Sequence, residues 1–181
     1  QIRTGDIITF FFKPMDYMKC IFSNSMGSMA GNFITITIPS FIIIFGVFHT
    51  NLMFSWNIPF FLLTLTGSCL LSFLFDFIVG TTCFWTLSVW GISFSKDILI
   101  SFLAGALLPL QFYPDAFVRV IRFFPFPYMY NLPLTIITSP VVDISVWVKS
   151  FAVQAIWFIA LYGIARAYFA LSMQKLTVNG G

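Results

Sequence analysis

Ile98-Leu99-Ile100-Ser101-Phe102-Leu103-Ala104-Gly105-Ala106-Leu107-Leu108-Pro109-Leu110-Gln111-Phe112-Tyr113-Pro114 is apolar enough for lipid and too interrupted to cross it. A helix needs about 20 apolar residues to span roughly 30 Å of hydrocarbon. The run 98–110 is shorter than that and closes at Pro109. Gly105 permits a turn or close packing, Pro109 ends the helix by removing a donor, and Pro114 suits the start of the next helix. From Gln111 to Tyr130, aromatics alternate with Pro114, Pro125, Pro127, Asp115, Arg119 and Arg122. In lipid such a break survives only where the freed backbone is shielded by protein or faces water. Residues 111–130 are therefore expected as a re-entrant or outer element beside a translocation route or a subunit contact. The competing reading is an ordinary proline-kinked helix followed by an external loop.

Outward from this stretch, three longer apolar runs follow the same length rule. One covers 25–48 without a charge; Gly27, Ser28 and Gly31 give it a small-residue surface for close helix packing, and Pro39 is expected to kink it. A polar loop from His49 to Asn57, holding Trp56, leads to the second run. That run ends near Trp85, where Trp85 and Trp90 suit a headgroup boundary and Gly91, Ser93, Ser95, Lys96 and Asp97 interrupt the hydrophobicity. The last run covers 146–169, with Lys149 near one end, Arg166 near the other, and Trp147 and Trp157 within it. The expected fold class is all-α: a polytopic transmembrane bundle in one domain over 1–181. Its spans are 25–48, 58–85, 98–110 and 146–169, with the re-entrant element before the last.

Composition supports lipid as the solvent. Of 181 residues, 59% are hydrophobic and 8% charged, against about 45–50% and 25% in soluble domains. One core cannot hide that much apolar surface in a chain of this length. The net charge of +3 is too small for a nucleic-acid footprint over 181 residues. Cys20, Cys69 and Cys83 are odd in number and show no metal-ligand spacing, so they read as small buried hydrophobes. Lys and Arg favour the cytoplasmic side of short loops. Arg3, Lys13, Lys19, Lys96 and Lys175 agree on one side, which puts both ends in the cytoplasm; Arg119, Arg122 and Lys149 are exceptions.

The ordered pattern Phe102-Leu103-Ala104-Gly105-Ala106-Leu107-Leu108-Pro109-Leu110, Phe112-Tyr113-Pro114 and Phe124-Pro125-Phe126 resembles the ABC-2 type permease family. In its bacterial exporters a Gly, a Pro four residues on and a second Pro precede a short helix and a Pro-Phe element. The tail Val178-Asn179-Gly180-Gly181 is similar to a frequent ending of that branch. The resemblance implies that Gly105, Pro109, Pro114 and Pro125 lie in re-entrant helices at the outer end of the fifth of six spans. Two N-terminal spans are then expected to be absent. It implies that residues 1–19 are the cytoplasmic coupling segment, with Arg3, Gly5, Asp6, Lys13 and Pro14 contacting an ATPase subunit; a membrane-surface helix is the alternative for this segment. It further implies a homodimer or a pairing with a related permease in a bacterial inner membrane. ATP and Mg would be held by the partner P-loop ATPase, with no cofactor in this chain. The implied cargo is a hydrophobic drug, lipid, peptide or glycan.

Little else in the sequence carries chemistry. Asp76 is the one acid well inside an apolar run, so it is either an intramembrane proton or cation site or the partner of a neighbouring helix near the cytoplasmic boundary. His49 is the sole His and reads as a surface residue rather than a metal ligand, and no metal site is expected. No GxxxxGK[ST] loop is present, so ATP would have to be bound by another chain. The reading is a transport subunit and not an enzyme. Its rivals are a nucleotide-independent channel and, further off, an intramembrane enzyme or an assembly factor.

Overall fold

The computed structural model describes residues 17–48, 57–82, 86, 90–139 and 143–174. Among them every regular element is helical. They fall into two compact units, the first holding the helices up to Phe48 and the second beginning ahead of Asn57.

The first unit contains helix α1 (Tyr17–Asn32), a π turn (Phe33–Thr37) and α2 (Ile38–Phe48), which follow one another without a gap. Pro39 has no N–H to give to the carbonyl four residues before it, and its ring crowds that carbonyl. The chain answers upstream by widening: the Ile38 N–H reaches back five residues to the Phe33 carbonyl. Hydroxyls take up neighbouring carbonyls, Thr35 Oγ1 donating to Gly31 O at 2.8 Å and Ser40 Oγ to Ile36 O at 2.7 Å. The irregularity expected from Pro39 is therefore a π turn just ahead of it.

The second unit is built on α3 (Asn57–Thr81) and α7 (Ile144–Met173), the two described helices long and apolar enough to cross a membrane. Phe60 near the start of α3 meets Trp147 near the start of α7, at 5.4 Å between ring centroids. Phe77 near the end of α3 meets Phe169 near the end of α7 at 5.6 Å. The two helices thus run parallel, so the chain between them must travel out and back. Leu71 and Leu74 of α3 and Leu161 and Ala165 of α7 are buried, whereas Leu62, Ile156, Ile159 and Ile164 are exposed on the outer faces, as a lipid solvent allows.

The chain returns through α4 (Trp90–Leu103), which differs from the expected third span at both ends. It starts ahead of Lys96 and Asp97 because Lys96 has a carboxylate to pair with on α3. At 14 residues it is about 21 Å long, short of the roughly 30 Å a level crossing needs. A 3₁₀ turn (Leu110–Phe112), α5 (Asp115–Ile121), a second 3₁₀ turn (Phe126–Tyr128) and α6 (Asn131–Thr138) follow before α7. Asp143 caps α7, its Oδ1 accepting from Val146 N at 3.2 Å and from Ser145 Oγ at 2.9 Å. These bonds, the Val146 N–H first, hold its carboxyl below the usual range.

Candidate functional site

The break begins with a glycine and not with a proline. Gly105 adopts φ +79°, the left-handed conformation that costs L-residues about 1–2 kcal/mol and glycine almost nothing. Its N–H donates to Phe102 O at 3.3 Å, and the Ala106 N–H donates to Ser101 O at 2.9 Å. This pair of bonds is the Schellman arrangement, which satisfies carbonyls that a helix end would otherwise leave open. The sequence assigned the stop to Pro109; that assignment is corrected, because α4 has already ended at Leu103. Pro109 instead precedes the Leu110–Phe112 turn and offers its carbonyl to the Phe112 N–H at 3.0 Å.

The following prolines have the roles their geometry favours. Pro114 stands at the N-cap of α5, its carbonyl accepting from Phe117 N and Val118 N at 2.9 and 3.1 Å. Asp115 lies in the first turn of that short helix and Arg119 in the last, as the helix dipole prefers. Tyr113 folds the segment back onto α4: its hydroxyl donates to Phe102 O at 3.1 Å, and its ring meets those of Phe102 and Phe117. Pro125 is buried and precedes the second 3₁₀ turn, where it accepts from Tyr128 N at 3.1 Å.

The element then reaches the middle of the long helices. The Tyr128 carbonyl accepts from Ser68 Oγ and from Gln154 Nε2, each at 3.0 Å. Ser68 is eleven residues past Asn57 and thirteen short of Thr81, about 16 Å into α3. Gln154 is 1% exposed, and its Nε2 also reaches Thr64 O at 3.0 Å and Ser68 Oγ at 3.3 Å. A residue other than glycine at 67 would exclude this amide, because a Cβ there would lie 2.5 Å from Gln154 Oε1. From this point α6 packs along α3, with Ile136 fully buried.

Toward the other end of α3, Asp76 pairs with Lys96, which also bonds Asp97 at 2.8 Å. Asp76 is thus the partner of a neighbouring helix. Lys96 is 15% exposed, while the two carboxylates are 52% and 66% exposed, so one cation is tucked between two acids that reach outward.

A family model described as ABC-2 family transporter protein matches residues 1–180. The chain belongs to that family. It is a multi-pass membrane permease subunit of an ABC transporter, and such permeases work with an ABC ATPase subunit. No curated protein and no solved structure matches the chain.

In this ABC-2 permease, Gly105, Pro109, Pro114 and Pro125 lie along one interrupted segment, while Asp76 joins a separate charged cluster with Lys96 and Asp97. Arg3, Gly5, Asp6, Lys13, Pro14 and His49 lie outside the described residues. Sequence reasoning missed Gln154, Ser68, Gly67 and the Tyr128 carbonyl. Their signal was faint: one amide in the apolar run Phe151–Leu161, and a Gly-Ser pair inside α3. What joins them is a backbone carbonyl, which every residue carries.

Proposed function

We propose that this permease is the membrane half of an ATP-driven exporter in which 104–138 is a re-entrant element and two such subunits flank the transport path. The observation that carries the reading is the Tyr128 carbonyl held by Ser68 and Gln154 in mid-helix, between a truncated α4 and a full-length α7. An external loop has no reason to bring an irregular backbone about 16 Å down α3. A segment lining a sheltered path does, because there the side chains of Ser68 and Gln154 supply the donors that the irregular Tyr128 carbonyl would otherwise lack.

The charge distribution supports the orientation. If α3 runs inward, the Asp76–Lys96–Asp97 cluster falls at its cytoplasmic end, where water reaches the outward-facing carboxylates. The segment 1–19 would seat in a groove of the ATPase and pass its rigid-body motion to α1. Membrane and host follow the family reading, a bacterial cytoplasmic membrane with both ends of this chain inside.

The test is to purify the chain with the protein encoded beside it, reconstitute both in liposomes and measure ATP-dependent efflux of a panel of apolar dyes and lipids. A P-loop ATPase should copurify, and replacing Gly5, Lys13 or Pro14 should abolish ATP-coupled efflux while the chain still reaches the membrane. Ion conductance without ATP, or no associated ATPase, would overturn the proposal.

A further inference from the structure

The Gln154 amide is held in a way that suits release. Its Nε2 is within reach of Thr64 O, Ser68 Oγ and Tyr128 O, one acceptor more than its two hydrogens serve. Among the described residues, no hydrogen-bond donor reaches its buried Oε1. It rests instead over Gly67, 2.5 Å from the position a Cβ would fill. The amide is thus satisfied on one side only, and a buried acceptor left open costs more than a typical hydrogen bond contributes on net.

Ser68 has the complementary property. Its hydroxyl has two acceptors, Tyr128 O at 3.0 Å and Thr64 O of its own helix at 2.9 Å. If the Tyr128 carbonyl left, the hydroxyl would fall back on Thr64 O without losing a bond. Both side chains that hold the carbonyl can therefore let it go and keep their own bonds: the Ser68 hydroxyl has Thr64 O, and the two hydrogens of Gln154 Nε2 have Thr64 O and Ser68 Oγ. The Tyr128 carbonyl loses two donors when it leaves, so it has to move to where water or another donor reaches it.

We infer that Gln154 is a positioning residue for transport: its amide latches the Tyr128 carbonyl against α3 in the chain by itself, and ATP binding by the partner subunit releases that latch so that the segment 126–138 moves. The inference rests on the exporter reading above and adds to it the contact that must break. It assigns Gly67 a role as well, because only glycine leaves the amide its place.

Amide hydrogen exchange in 131–138 tests this, on the full chain with its ATPase in lipid nanodiscs, with and without a non-hydrolysable ATP analogue. In the wild type the analogue should speed exchange there by about tenfold, the factor that accompanies loss of roughly one net hydrogen bond. Gln154→Leu should exchange at the faster rate without nucleotide and show no further response, with 57–81 unchanged. Gly67→Ala should do the same although Gln154 is present, and it decides the matter if Gln154→Leu does not accumulate. Ser68→Ala should keep the nucleotide response, since Nε2 still holds the carbonyl. Exchange in 131–138 indifferent to both Gln154→Leu and Gly67→Ala overturns the latch. Dependence on Gln154 without any nucleotide response, in a complex that hydrolyses ATP, overturns its release during transport. A chain that captures no ATPase overturns the exporter reading instead, and exchange in the isolated chain still reports whether the latch exists.

Discussion

Replacing Gly105 with alanine isolates the step on which the fold of 104–138 depends. At φ +79° a Cβ collides with the neighbouring carbonyl, which costs about 1–2 kcal/mol. The added carbon would also stand 3.0 Å from Leu110 Cγ and 3.4 Å from Leu110 N. The leucine side chain can shift by a few tenths of an ångström, but its buried position limits how far. A total near 2 kcal/mol follows, a factor of about 30 in the folded ratio. Gly105→Asn should lose much less, because asparagine tolerates the left-handed region. The assay is equilibrium unfolding in mixed micelles of rising SDS fraction, with tryptophan emission as the readout. Alanine equal to glycine in stability, or asparagine worse than alanine, would refute the assignment of Gly105 as the helix stop.

Other substitutions probe the neighbouring contacts. Lys96→Met strands two carboxylates, and their 52% and 66% exposure reduces the penalty from that of a buried pair to about 1–2 kcal/mol. The double variant Lys96→Met/Asp76→Asn should recover part of this loss in the same unfolding assay. Asp143 has its carboxyl pKa lowered on folding by the Val146 and Ser145 bonds, so its contribution is complete above the ordinary carboxylate value and fades as pH falls through the folded one. Thermal stability should therefore show an acid-side decline below about pH 4 that Asp143→Asn, which keeps the cap, lacks.

The parts of the fold that lipid dictates were readable from residue order alone. A long apolar run with few charges must be a helix in hydrocarbon: the run expected from 58 is helical through Thr81 in α3, and 146–169 lies within α7. Other features depend on a partner that linear order does not reveal. Lys96-Asp97 looked like a boundary because two charges interrupt hydrophobicity, yet with Asp76 across from them they sit inside α4. Gly105 and Pro109 were both visible as breaks. Their division of labour was not, because proline rules out a donor at one position whereas glycine permits a conformation that the following bonds must then select. Gln154 was least legible: its acceptors lie on Thr64, ninety residues before it, and on the backbone of Tyr128.

The central claim is that the chain stops at Gly105 and comes back to the middle of α3 and α7. A cryo-electron microscopy map of the permease in a lipid nanodisc addresses it directly. It should show α4 ending by Leu103 and the Tyr128 carbonyl within hydrogen-bond distance of Ser68 and Gln154, inside the hydrocarbon layer. A single continuous helix through 104–110, with Tyr128 outside the headgroups, would contradict it.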